Sequence, residues 1–372
     1  MIAPLPPGLT VGDTAPHFIC PAPGNPAYGF GAVAGRYVLL GFLPEDSAVR
    51  DAAVGALDAE RGRFDDLTLT AFLVIRDAPS IARAKNRLPG LRWLFDADGT
   101  VSRLYGALDT EGREPGLWVL LDPALRVMAV APMSETEAIF RQVAALPPPA
   151  EHAGAPLVAP VLIVPRVFEP ELCRHLIEYY DARGGELSGV MRDVDGRTVG
   201  VLDEMKRRRD VHVEDAALRR ELMLRLHRRL SPEILKAYNF RATRLERYLI
   251  ACYDASDGGY FRPHRDNTTL GTAHRKFAVS INLNAEGFEG GDLRFPEFGP
   301  RTYRPPTGGA VVFACGLLHE ATPVTKGRRY AFLPFLYDEA GERLRDVNRA
   351  HLATETPGSS AVQASAASFA PE

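Results

Sequence analysis

The densest chemistry in the chain lies in Tyr253-Asp-Ala-Ser-Asp-Gly-Gly-Tyr-Phe-Arg-Pro-His264-Arg-Asp266-Asn. On an extended segment His264 and Asp266 stand two apart and project to one face, so an imidazole and a carboxylate converge on one point. That is two-thirds of the two-histidine, one-carboxylate set that binds non-haem Fe(II) and leaves coordination positions open. The third ligand has to come from elsewhere. His319, in Gly-Leu-Leu-His-Glu-Ala-Thr-Pro-Val, is the leading candidate, because it follows an apolar run, Ala310–Cys315, as a residue at a barrel mouth would. Ten residues beyond it stands Arg329. A guanidinium in such a site suits a dicarboxylic co-substrate such as 2-oxoglutarate, because its planar fork pairs bidentately with a carboxylate and its charge does not vary with pH. His-x-Asp alone is common; with the downstream His and Arg at these spacings it becomes a specific signal.

These residues need a rigid frame, and the pattern supplies one. From Thr243 onward, short β-rich runs (Arg244–Tyr253, Lys276–Asn284, Gly290–Phe295, Gly309–Phe313, Arg329–Tyr337) alternate with Gly- and Pro-rich turns, as in a barrel or jelly roll. They are preceded by a strand, Val161–Pro165, a helix that opens at Pro170, and helical stretches at Asp215–Leu230 and Pro232–Phe240. The first half reads differently. Buried-type strands at Arg36–Leu43 and Leu67–Ile75 alternate with helical patterns at Ser47–Arg63 and Pro79–Asn86, and Leu117–Asp122 with Arg126–Val130 form a hairpin, giving an α/β layer. The Pro/Ala-rich stretch 147–160 separates them, so the expected division is 1–146, a linker at 147–160, 161–340, and a mostly unstructured extension at 341–372.

Composition bounds the rest. The chain has 372 residues, is 46% hydrophobic and 24% charged, and carries a net charge of −3. It shows no apolar run of membrane-spanning length and no secretory leader, so the expectation is a cytoplasmic protein with no membrane partner. The charge argues against nucleic acid. Four scattered cysteines, with no Cys-x-x-Cys, exclude a disulfide framework and thioredoxin-type redox chemistry. Lys206-Arg-Arg-Arg209 reads as a solvated turn paired with aspartates, His175, His212, His227 and His274 as surface or helix-face residues, and Cys252 and Cys315 as core packing.

Residues from about Val161 to Tyr337 resemble the prolyl 4-hydroxylase-like branch of the Fe(II)/2-oxoglutarate-dependent dioxygenases. The resemblance rests on Tyr253…Gly258-Gly259-Tyr260-Phe261…His264-Arg-Asp266-Asn267, on Phe288-Glu-Gly290-Gly291-Asp-Leu-Arg-Phe295, and on His319-Glu-Ala-Thr-Pro323-Val…Gly327-Arg-Arg329-Tyr330. It implies an α+β domain with a double-stranded β-helix (jelly-roll) core, iron held by His264, Asp266 and His319, and the distal carboxylate of 2-oxoglutarate held by Arg329, with Arg328 as an alternative. It places Tyr253 in the co-substrate pocket and puts Asn282 where some relatives have a tyrosine that contacts 2-oxoglutarate. O2 would be consumed, succinate and CO2 released, and ascorbate is a possible auxiliary. Nucleobase demethylases carry a second arginine where this chain has Phe335, which speaks against that branch. The substrate implied is peptidyl, prolyl included, or a small molecule.

The first half resembles a peroxiredoxin of the α/β thioredoxin-like fold, through Gly12-Asp-Thr-Ala-Pro16-His-Phe18, the strand ending in Pro44, and Phe95-Asp-Ala-Asp-Gly-Thr-Val-Ser-Arg-Leu-Tyr105-Gly. Where peroxiredoxins place a threonine and the peroxidatic cysteine, this chain has Ala48 and Asp51. The expected role of this domain is therefore substrate docking or dimerisation. Two rival readings remain: a non-catalytic scaffold, and a peroxide reductase that uses Cys20.

Overall fold

The computed structural model describes residues 8–77, 81, 84–109, 111–352 and 367–368. The chain divides into two compact units, Met1–Val158 with Pro296–Pro300, and Ala159–Phe295 with Arg301–Glu372. No helix among the described residues is long and apolar enough to cross a membrane.

The first unit is built on a five-stranded sheet in the order Leu91–Phe95, Leu69–Ile75, Tyr37–Phe42, Leu117–Leu121, Val127–Pro132. The first three strands run parallel and the last two are antiparallel additions, the layout of a thioredoxin-like α/β domain. Every residue of Tyr37–Phe42 and Leu69–Ile75 is buried, which is why these strands read as continuous apolar runs rather than alternating ones. Trp118 is fully buried, and its Nε1–H donates to Thr136 Oγ1 at 2.9 Å. Gly41 makes room for it, since a Cβ there would lie 2.4 Å from the indole. Half of the stretch Pro79–Asn86, where a helix is expected, lies outside the described residues.

The second unit is a double-stranded β-helix. Its larger sheet runs Arg244–Glu246, Phe335–Tyr337, Phe277–Asn282, Val324–Phe332, Leu249–Asp254, Arg209–His212, with Ala310–Ala314 also paired to Phe277–Asn282. Its smaller sheet runs Lys206–Arg207, Tyr260–His264, His319–Ala321, Leu293–Arg294, Thr302–Tyr303. The apolar run Leu249–Tyr253 is buried on both faces with period two. Ile250 and Cys252 join the core formed with helices Pro170–Asp181 and Ala216–Arg225, whereas Leu249, Ala251 and Tyr253 cluster with Phe261, Phe288 and Val324. Local signals fix the helices: Pro170 opens the first, and the Asp215 carboxylate accepts the Leu218 N–H at 2.7 Å to start the second.

Residues 341–352, the first part of the C-terminal extension, are ordered. Glu339–Asn348 is a helix capped by Asp338, whose carboxylate accepts the Gly341 N–H at 2.8 Å. The rest of that extension lies outside the described residues, except for a short strand at Ala367–Ser368 paired with Arg244–Leu245.

Candidate metal centre

His264 ends strand Tyr260–His264 and His319 begins strand His319–Ala321. The two strands are neighbours, and the two histidines are direct register partners. Residues opposite one another on an antiparallel pair project to the same side, so pairing brings together side chains 55 positions apart in the chain. Asp266 follows two residues after His264, pinned by its own N–H to the Cys315 carbonyl at 2.9 Å. Its Oδ1 lies 3.6 Å from His264 Nε2 and its Oδ2 3.3 Å from His319 Nε2. One ligand atom from each residue fits within 4.8 Å of the others.

The local backbone also sets the tautomers. His264 Nδ1 lies 2.8 Å from the Arg262 carbonyl and His319 Nδ1 3.0 Å from the Leu317 carbonyl. A carbonyl only accepts, so each Nδ1 carries the proton and each Nε2 keeps its lone pair for a cation. Burial, followed by the neighbouring His264, pushes His319 down to about 4, so its ring is neutral at physiological pH. Burial alone would raise Asp266; His319 and then His264 outweigh it and hold the carboxyl well below its usual range. Phe261 stacks on His264 at 3.4 Å, and Phe313 lies against His319 at 4.5 Å, so an aromatic ring packs on each imidazole.

Arg329 sits on the larger sheet, directly opposite Tyr253 in register, with its Cζ 5.2 Å from the centre of the Tyr253 ring. It is 3% exposed. Its Nη2–H donates to Ser280 Oγ at 2.9 Å, while Nη1 is buried and finds no partner among the described residues. A buried guanidinium nitrogen left open costs free energy unless an acceptor arrives, so Arg329 fits a carboxylate ligand. Gly291, at φ +67, leaves space beside it: a Cβ there would meet Val324 at 2.7 Å and the Arg329 Cδ at 3.3 Å. Arg328 faces the other way, exposed, with its Nε–H on Asp254 Oδ2 at 2.7 Å. Asn282 is buried, and its Nδ2–H donates to the Pro305 carbonyl at 2.9 Å.

Two expectations are corrected. Lys206 and Arg208 are buried rather than solvated: Lys206 Nζ donates to Ser188 Oγ at 2.6 Å, and Arg208 Nη2 donates to Asp210 Oδ2 at 2.6 Å. The run enters the smaller sheet as Lys206–Arg207, opposite Tyr260 and Phe261, which draws it inward. His274 is not a surface residue either. It is 2% exposed, with Nε2 2.7 Å from Glu246 Oε2. Glu246 also accepts from Arg275 at 3.0 and 2.5 Å, and Arg275 Nη1 reaches the Asp266 carbonyl at 3.4 Å. Sequence reasoning missed Ser280, Glu246 and Arg275. Only for Ser280 was a signal present, as a polar residue within the otherwise apolar Phe277–Ile281 run.

A PKHD-type hydroxylase of Synechococcus sp. (strain JA-2-3B'a(2-13)) is 30% identical over 89 residues, 22% of this chain and 39% of that relative, so the match spans well under half of the curated protein. Among solved structures, a Pseudomonas putida prolyl-4-hydroxylase aligns over 49% of this chain and 94% of its own, at 19% identity and a TM-score of 0.39. Mycobacterium tuberculosis AhpC aligns over 38% of this chain and 94% of its own, at 19% identity and a TM-score of 0.30. Residues 248–337, the stretch that contains Tyr253, His264, Asp266, His319 and Arg329, match the 2OG-Fe(II) oxygenase superfamily, and over that segment the resemblance read from the sequence is borne out.

Proposed function

We propose that the chain is an Fe(II)- and 2-oxoglutarate-dependent dioxygenase that hydroxylates a peptidyl or small-molecule substrate. The carrying observation is the register pairing of His264 with His319 around Asp266, with Arg329 buried nearby and one guanidinium nitrogen open. His264, Asp266 and His319 would hold the metal on one face, and Arg329 with Tyr253 would seat 2-oxoglutarate. Bound there, iron and 2-oxoglutarate supply O2 activation with loss of CO2 and formation of succinate. The protein's part is positional. The two Nδ1–H donors lock the imidazoles, the Asp266 carboxylate stays ionised to bind a cation, Phe261 and Phe313 pack against the imidazole rings, and Arg329 fixes the co-substrate through its far end. An intact Asp266 carboxylate leaves no room for a halide among the ligands, which favours hydroxylation.

The test is succinate formation from 2-oxoglutarate with and without Fe(II). Arg329→Gln should raise the Kd for 2-oxoglutarate by about 30- to 1000-fold, equivalent to about 2–4 kcal/mol for a buried charge-assisted pair. An unchanged Kd would overturn the assignment of Arg329. The peroxide-reductase reading fares worse. Burial, reinforced by Asp96, pushes the Cys20 thiol up to about 12, so it offers no thiolate at neutral pH.

A further inference from the structure

Arg329 is not the only guanidinium beside Tyr253. Arg208 places its Cζ 5.8 Å from the same ring and is 4% exposed. Its Nη1 approaches the Tyr253 hydroxyl at 3.5 Å, and its Nε is buried without a partner among the described residues. Lys206 lies alongside, with Nζ 4.9 Å from the centre of the Phe261 ring, and Arg208 Cζ is 6.0 Å from that centre. Phe261 is the ring stacked on His264, so this cationic pair stands one aromatic side chain away from the metal ligands.

The charges there do not balance. Arg208 is matched by Asp210 at 2.6 Å. Lys206 then has only neutral partners, Ser188 Oγ and the Gly189 carbonyl at 2.9 Å. The charges around it are Arg208 and Arg247, both positive, Asp210, which Arg208 already engages, and Asp266, which the metal reading engages. A buried cation without a counterion costs several kcal/mol. An anion arriving with a ligand would remove that cost. 2-Oxoglutarate does not supply this anion, because its distal carboxylate belongs to Arg329 and its keto acid to the metal.

We propose that Arg208 and Lys206 form a second carboxylate-binding position, and that the primary substrate is a small carboxylic acid, a free or N-acylated amino acid, anchored there. This inference rests on the dioxygenase reading. It places the substrate's acid group on the far side of Phe261 from the imidazole it stacks on, so the carbon presented to the metal is a few bonds from that carboxylate.

The probes are the N-acetyl derivatives of the common amino acids, each as free acid and as matched amide. They are titrated under nitrogen into full-length protein loaded with Mn(II) and saturating 2-oxoglutarate. The tightest-binding acid should bind at least about 10-fold better than its amide, the range expected for one charge-assisted contact. Lys206→Met, which removes the excess cation without stranding Asp210, should shrink that advantage to about threefold or less. Arg208→Lys should retain more of it than Arg208→Gln, and Arg208→Gln should weaken 2-oxoglutarate far less than Arg329→Gln does. Acid and amide binding alike, no member binding, or an advantage unchanged in Lys206→Met would each overturn the proposal. Arg208→Gln losing 2-oxoglutarate as completely as Arg329→Gln would also overturn it, by assigning Arg208 to the co-substrate. If 2-oxoglutarate itself fails to bind the wild-type protein, the underlying dioxygenase reading falls instead.

Discussion

Each unit directs the end of a strand toward a place where chemistry could occur, and the two differ in what stands there. In the first unit, strand Tyr37–Phe42 leads into helix Ser47–Ala59, whose N-terminus is capped by Asp46. The position that the peroxiredoxin resemblance reserves for a thiolate holds Asp51, an exposed carboxylate on that helix. The remaining thiol of the unit, Cys20, is 2% exposed and firmly protonated. In the second unit, two adjacent strand ends deliver His264 and His319 with free Nε2 atoms, and a carboxylate completes the set. A sheet can survive entire while a single side chain decides whether it is a reagent or a scaffold. The sharpest way to break this contrast is to delete one group from each side. His319→Ala should lower Fe(II) affinity by more than about 100-fold, beyond what loss of an outer partner of a ligand costs, and should take succinate formation to background. Cys20→Ala should change neither. Peroxide consumption by the wild type that disappears in Cys20→Ala would reverse the contrast.

Much of the second unit was legible because its chemistry is local in sequence. His264 and Asp266 are two apart, a spacing that brings them to one side of an extended segment; in the fold His264 ends its strand and Asp266 lies in the turn that follows, held by the Cys315 carbonyl. Arg329 was read from its spacing to His319 and Tyr253 through the resemblance, but the reason they meet is the antiparallel register of Leu249–Asp254 with Val324–Phe332, which no single segment encodes. Lys206, Arg208 and His274 were misread for the opposite reason. Composition treats basic and imidazole side chains as solvent-facing, and only the pairing of Lys206 with Phe261 and the placement of Glu246 under His274 show that they are buried. Helix Glu339–Asn348 was missed because its sequence is largely charged and has little apolar face; its start is written in the Asp338 cap rather than in hydrophobic periodicity.

Buried carboxylates offer a second comparison, and it runs in opposite directions in the two units. Glu246, 2% exposed, would be raised by burial, but Arg275 and His274 hold it well below the usual range. It therefore contributes stability that is complete above its unfolded value near 4.3 and is lost as pH falls toward the folded value. Glu246→Gln strands Arg275, and should cost the second unit about 3–5 kcal/mol at neutral pH, lowering its unfolding midpoint by roughly 10 °C. Below about pH 5 the gap between wild type and variant should narrow. A gap that stayed constant from pH 7 to pH 3 would mean that Glu246 is not the charged partner of Arg275. Because Arg275 also reaches the Asp266 carbonyl, weaker Fe(II) binding should accompany the loss.

Glu114 in the first unit has the reverse sign and the smaller effect. It is 5% exposed, accepts the Ser102 hydroxyl at 2.7 Å through Oε1, and leaves Oε2 without a partner among the described residues. Burial, the largest influence, pushes it up to about 7 against the opposing Ser102 contact and Arg76. The folded state then holds a proton that the unfolded chain releases near 4.3. Stability must fall as pH rises from about 4.5 to about 7 and level off above, because through that window the native state binds more protons than the unfolded one. Glu114→Gln keeps the size and removes the titration, so it should flatten that slope and raise stability at pH 8 by about 2 kcal/mol, with some allowance for water penetration. Chemical denaturation of the full-length chain at pH 5 and pH 8, with the second unit as internal reference, reads both numbers. Equal slopes for wild type and Glu114→Gln would show that this carboxyl is ionised in the fold, and the contrast between a charged interior in one unit and a neutral one in the other would fail.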